Sequence, residues 1–183
     1  MTAELSAPAL VRRTPRLTQA ILVATLVLTV TADIELVSRR PGGRMDPTFV
    51  APYLWLFSGL FLLRVAGQIV VRSRAPRWLP PMTDWNLAPY RLLLPVQIVI
   101  LAAMAWLDVD FSRASGAAVD GRHALGVALL AASGLYAGSM LVRYVVRMTR
   151  RAEQRWFGGT IPIVFHWVLA SFLFALGLFH VSY

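Results

Sequence analysis

Five apolar stretches dominate this 183-residue chain, and each is about as long as the roughly 20 residues that a helix needs to cross a bilayer. They cover residues 17–37, 49–71, 87–107, 124–146 and 160–181. Backbone amides inside a bilayer have no water to bond, so a single apolar segment of this length must be helical. The sequence therefore predicts an all-α fold: one transmembrane domain over residues 1–183, with about five helices and short loops.

The composition excludes the other broad classes of protein. Hydrophobic residues make up 57% of the chain and charged residues 15%, against about 25% charged in an average soluble domain. So few polar groups could not cover the surface of a soluble fold. The chain has no cysteine, which excludes disulfides, thiolate metal sites and thiol catalysis.

The charge distribution predicts how the chain is oriented in the membrane. The net charge is +9, and all 18 basic residues are arginines. They cluster in short segments between the apolar stretches, which is typical of topology signals rather than of a nucleic-acid site. Eleven arginines fall on the N-terminal side and five on the opposite side. We therefore expect a multi-pass protein of the bacterial inner (plasma) membrane, with its N-terminus in the cytoplasm and its C-terminus outside.

One group of polar residues falls inside the predicted spans, in the half nearer the N-terminal side: Arg64, Gln68, Gln97, Arg143 and His166. Polar groups are costly in a bilayer, so each is a candidate functional residue. One interpretation is structural, with hydrogen bonds between helices and arginines that reach lipid phosphates. The other is a site for an anionic or quinone head group, anchored by Arg64, which we expect to face protein or a cavity.

A second group lies near the opposite membrane surface: Asp33, Glu35, Asp108, Asp110, His123 and His180. Carboxylates and imidazoles suit zinc, iron or manganese. Asp33 and Glu35 would point about 200° apart on a helix, so the candidate metal ligands are one of these two, preferably Glu35, with His123 and His180. The alternative, which we favour, is a set of charges that face water or pair with arginines at helix ends.

The histidines raise a second cofactor hypothesis. His166 and His180 are fourteen residues apart, so they lie on nearly the same helix face at different depths. This spacing resembles that of the helices that carry two haems in the cytochrome b family. That arrangement needs a second helix with its own histidine pair, and the remaining histidine is His123. The sequence therefore allows a single haem, held by His123 and His180.

The fourth apolar stretch contains a GxxxG motif formed by Gly134 and Gly138. Small residues at this spacing let two helices approach closely. The second helix can belong to this chain or to another subunit, and the motif itself is compatible with both.

The functional expectation rests on these features and on missing motifs. The sequence has no phosphate-binding P-loop, no GxGxxG and no HExxH, so the familiar enzyme signatures are absent. We expect a non-catalytic accessory subunit of a multi-subunit membrane complex, such as one of electron transport or photosynthesis, with lipids and other membrane subunits as partners and no cofactor of its own. The alternative is a membrane redox or lipid-modifying enzyme that uses the second polar group with a divalent metal or a haem.

Overall fold

The computed structural model describes residues 15–74, 76, 79–80, 90–150 and 160–183. It contains five long helices: α1 (Arg16–Ser38), α2 (Pro47–Arg74), α3 (Tyr90–Arg113), α4 (His123–Arg150) and α5 (Ile161–Val181). Each of the five is long and apolar enough to cross a membrane, and the described ranges contain no strand. The predicted all-α fold with five membrane-spanning helices is confirmed.

The third helix is longer than the sequence predicts. It ends at Arg113 rather than near residue 107, so Asp108 and Asp110, expected to follow this span, both lie within it. The helix stops where Ala114 adopts a positive φ of 48°. The next amide, that of Ser115, donates to the Asp110 carbonyl at 3.1 Å. A left-handed residue followed by this bond pattern is a common way to end a helix.

Helix α5 lies at the centre of the molecule. It packs against α1, α2 and α4, while α3 packs against α2. Fifteen of its 21 residues are buried, against two of 28 in α4, Gly126 and Ser133. The last helix of the chain is therefore the core, and α4 is attached to it along one side only.

Glycines allow α4 and α5 to approach closely. A Cβ atom added at Gly126 would lie 2.6 Å from the backbone nitrogen of Val181. A Cβ added at Gly177 would lie 2.8 Å from Cγ of Leu130. Neither position can carry a side chain without moving one helix away from the other.

Two hydrogen bonds also join these helices. The Ser133 hydroxyl donates to the Ala170 carbonyl at 2.8 Å, and the Trp167 indole N–H donates to the Ala137 carbonyl at 3.1 Å. Bonds of this kind fix the rotation of α4 about its own axis, since both donors and acceptors lie on the contact face. The opposite face of α4 points away from the protein.

Candidate functional site

Arg64 is the most deeply buried arginine among the described residues. It comes from the face of α2 that packs on α5, and only 4% of its surface is exposed. Its Cζ lies 5.9 Å from the centre of the Phe61 ring, and its Nε has no hydrogen-bond partner among the described residues. The side chain therefore lies against protein, as the cost of an arginine in a bilayer predicts.

Two rings lie near this arginine, and a second arginine lies near one of them. The rings of Tyr136 on α4 and His166 on α5 lie 5.4 Å apart. Arg64 and Arg143 are both close enough to act electrostatically on the His166 imidazole, and Arg64 does the same to Tyr136. We call Arg64, Tyr136, Arg143 and His166 the inner cluster.

The sequence analysis singled out three members of the inner cluster and missed Tyr136. A signal for the tyrosine exists in the spacing: it lies seven residues before Arg143, which is close to two helical turns. The two side chains therefore share a face of α4. A tyrosine seemed unremarkable among apolar residues because its hydroxyl costs less to bury than a charge.

The hydrogen bond of His166 determines which ring nitrogen carries the proton. Its Nδ1 lies against the carbonyl oxygen of Pro162. A carbonyl can only accept a hydrogen bond, so Nδ1 must be the donor. In the neutral ring, Nε2 then remains as an acceptor. The imidazole thus has a fixed orientation and a free lone pair.

Gln97, a further predicted member of the first polar group, lies in α3, which packs against α2, and Gln68 lies in α2. Both are buried, and both amide atoms of Gln97 lack a partner in the described part of the chain. The Trp55 indole donates to the Ser112 hydroxyl at 2.9 Å, and this register of the antiparallel pair brings Gln68 and Gln97 to about the same level. They fit the structural interpretation of helix-to-helix contact.

A cavity of about 220 Å³ lies beside Arg64, between α1, α2 and α5. Apart from Arg64 and the Thr18 hydroxyl, its lining is apolar, with Leu22, Gly67 and Phe165 among the contributing residues. Thr18 is in the first turn of α1, so the cavity lies near the ends of the helices where the arginine-rich connections begin. Its lining is suited to an alkyl chain rather than to a polar ligand.

A second apolar cavity, of about 240 Å³, lies between α1, α4 and α5. Leu22 lines both cavities, and Tyr144 and Trp167 line this one. At its inner end the Arg147 guanidinium donates to the Thr160 hydroxyl at 2.8 Å. The inner half of the bundle is therefore loosely packed on both sides of α1.

The predicted metal ligands are not brought together. Glu35 pairs with Arg39 on its own helix at 3.0 Å, His180 is buried in α5 and His123 is exposed at the start of α4. Within the described ranges, no three His, Cys, Asp or Glu side chains form a group that could hold a metal ion. The reason lies in the packing, because α4 packs mainly against α5, whereas Glu35 lies on α1.

The other acids of the second polar group are held separately. The Ser171 hydroxyl donates to Oδ2 of Asp33 at 2.6 Å. Asp108 is fully buried and lies beside Ser58, although neither group completes a hydrogen bond of normal geometry. The Asp110 carboxylate packs against Gly116, where a side chain would collide with it. These contacts fasten α1 and the end of α3 to their neighbours.

The GxxxG motif does not pack within the described protein. Gly134 and Gly138 are exposed on α4, and a Cβ atom added at either would have no neighbour within 4 Å. The sequence leaves two roles open for these glycines. Among the described residues, they do not pack closely against another helix of this chain.

A comparison of the chain with family models, curated proteins and solved structures finds no match. Two features of the molecule bear on its function: the inner cluster with its neighbouring cavity, and the outward face of α4.

Proposed function

We propose that the protein is a non-catalytic subunit of a multi-subunit complex in the bacterial inner membrane, such as one of electron transport or photosynthesis. In this proposal α4 is the helix that contacts a transmembrane helix of another subunit. The observation that supports it is the burial of α4: two of its 28 residues are buried against the rest of the chain.

The outward face of α4 has the spacing of a helix-packing surface. Residues separated alternately by four and three positions are all exposed along it: Val127, Ala131, Gly134, Gly138, Leu141 and Val145. We call this row the α4 seam. Alternating steps of three and four keep a row of side chains directed at a neighbouring helix, and the small residues at its centre would let that helix approach closely.

The two glycines are the strongest support for a protein partner. Exposure of Val or Leu needs no partner, because lipid tails are as apolar as these side chains. A glycine in a helix, by contrast, costs about 1 kcal/mol relative to alanine. Gly134 and Gly138 have no neighbouring atoms within the described chain that need the space. A helix packed against the seam would make use of both.

The proposal includes the orientation that the arginines predict, with the N-terminus in the cytoplasm and the C-terminus outside. A single subunit of this kind would bind lipids on its remaining surface and the partner along α4. The subunit would need no catalytic groups of its own, because other subunits would carry out the reaction of the complex.

Site-specific photo-crosslinking in native membranes tests the proposal. A crosslinking amino acid at Leu135 or Val142, which are 76% and 63% exposed beside the seam, should capture one membrane protein of defined mass. The same group at Ile34 on α1 or Val99 on α3, both exposed, should not capture it. Adducts with lipid alone from all four positions would contradict the proposal. Capture of a second copy of this chain would replace the accessory role with a homo-oligomer.

A matched set of glycine variants separates loss of the partner from loss of the fold. Replacing Gly134 and Gly138 together by leucine should abolish co-purification of the crosslinked protein while the melting temperature in detergent stays the same. Gly59→Leu is the control, because Gly59 on α2 is equally open and lies off the seam. Co-purification that survives in the double variant would contradict the role of the seam.

A further inference from the structure

Among the described residues, the inner cluster carries positive charge without an ion pair to a carboxylate. Arg64 is almost completely buried, and among the described residues it forms no ion pair. Of the described acids in the spans, Asp33 is bonded to Ser171 and Asp108 lies beside Ser58. A buried guanidinium needs an acceptor or an anion to replace the water that it has lost.

The depth of the cluster matches the region below the lipid head groups. His166 lies five residues after Ile161, the first residue of α5, which corresponds to about 7.5 Å along the helix axis. Arg143 lies seven residues before Arg150, the last residue of α4, or about 10 Å. A charged head group that lies this far below the membrane surface would reach Arg64 and Arg143.

The cavity beside Arg64 indicates that the ligand also has an apolar part. The side chain of Arg64 forms part of its wall, together with Leu22, Val70 and Phe165. Leu63 also lines it and is half exposed on the lipid-facing side, so the cavity lies next to the lipid phase. A free inorganic anion would leave this volume empty, whereas a hydrocarbon chain would fill it.

We propose that the inner cluster binds the anionic head of an amphiphile, a phosphate or a carboxylate, and that its hydrocarbon chain enters the cavity beside Arg64. The guanidinium presents its donors in a planar fork that matches either oxyanion, and its Nε is unpaired among the described residues. The Tyr136 hydroxyl supplies a further donor, and Arg143 lies at the exposed side of the cluster. This binding does not depend on the α4 seam, which lies on another face of that helix.

Titration of the purified full-length protein in neutral detergent tests the proposal. The probes are oleate, dioleoyl phosphatidylglycerol, dioleoyl phosphatidylcholine and inorganic phosphate, followed by native mass spectrometry and by the melting temperature. We expect a one-to-one adduct and a raised melting temperature with oleate or with phosphatidylglycerol. The one that binds more tightly identifies a carboxylate or a phosphate head. Equal binding of phosphatidylcholine, or binding of inorganic phosphate as tight as that of either amphiphile, would overturn the proposal.

Two variants assign the binding to these residues. Arg64→Gln should weaken the preferred amphiphile at least tenfold, whereas Arg74→Gln, an exposed arginine at the end of the same helix, should leave it unchanged. Thr18→Leu should also weaken binding, because it fills the cavity without altering any charge. If Arg64→Gln does not fold, Thr18→Leu remains decisive. Unchanged affinity in that variant, or in a folded Arg64→Gln, would overturn the proposal.

Discussion

The hydroxyl of Ser171 donates a hydrogen bond of 2.6 Å to the carboxylate of Asp33, and this contact joins the first helix of the chain to the last. Ser171 is the middle residue of α5, which runs from Ile161 to Val181. The bond therefore lies halfway along the central helix. Apolar contacts between helices tolerate sliding, whereas this polar pair fixes the height of α1 against α5.

Removing this bond should destabilise the protein. Ser171→Ala leaves a partly buried carboxylate without its donor, a change that costs about 1–3 kcal/mol, and we expect a lower midpoint of unfolding in detergent. Ser182→Ala is the matched control, since that hydroxyl bonds to a carbonyl within its own segment. In the Asp33→Ala background, Ser171→Ala should have a much smaller effect. Additive effects of the two substitutions would mean that the bond does not form.

The fold could be predicted from the sequence because a single physical constraint determines it. An apolar run of about 20 residues must be helical in a bilayer, and all five runs are. The central position of α5 could not be predicted, since a helix that is apolar all round can face lipid or protein equally well. The extra turns of α3 were missed because Asp108 and Asp110 resemble the end of a span.

The candidate site was predicted only in part, and for a related reason. The free-energy cost of a polar side chain inside the bilayer singles out Arg64 and His166, whatever their neighbours are. It does not reveal which helices pack together, so Gln97 was grouped with the inner residues although it lies between α2 and α3. For the same reason, the sequence predicts Glu35, His123 and His180 as joint metal ligands, although these three residues do not form a metal-binding group in the described structure.

The two kinds of glycine in α4 should respond to substitution in opposite directions. At Gly126 an added methyl group would meet the backbone of Val181 at 2.6 Å, and overpacking of this kind costs about 1–3 kcal/mol. At Gly134 nothing lies within 4 Å, so alanine should stabilise the helix by up to about 1 kcal/mol. We expect Gly126→Ala to lower the melting temperature and Gly134→Ala to leave it equal or higher. The reverse order would contradict the contact of α4 with α5.

Asp46 should make the start of α2 sensitive to acid. Its carboxylate accepts hydrogen bonds from the backbone amide of Thr48 at 2.8 Å and from the Thr48 hydroxyl at 2.6 Å. These bonds lower the pKa of Asp46 below its ordinary value. A group whose pKa is lower in the folded state contributes stability above its unfolded pKa, near 3.9, and loses it as the pH falls further.

The measurement for this cap is the melting temperature between about pH 6 and pH 3. The wild-type protein should lose a small part of its stability toward the acid end. Asp46→Asn, which can still accept the amide bond but does not titrate, should lose less. Parallel curves for the two proteins would show that the charged form of Asp46 does not stabilise α2.

The separation of the outer residues predicts the result of a metal analysis. Because Glu35, His123 and His180 do not form a metal-binding group in the described structure, replacing all three by alanine should leave the metal content of the purified protein unchanged, as measured by plasma mass spectrometry. Arg39→Ala, which removes the ion-pair partner of Glu35, serves as the control for altered charge at this surface. Loss of a stoichiometric metal in the triple variant alone would favour the enzyme hypothesis.

The orientation in the membrane can be tested with paired reporters. Five spans place the two ends of the chain on opposite sides, and the excess of arginine on the N-terminal side predicts that this side is cytoplasmic. Alkaline phosphatase fused after Tyr183 should be active, because it folds only outside the cytoplasm, and green fluorescent protein at that position should be dark. Fusions after Arg150, in the connection between α4 and α5, should behave in the opposite way. A fluorescent fusion after Tyr183 would mean that the orientation is inverted, and an identical result at both positions would mean that α5 does not cross.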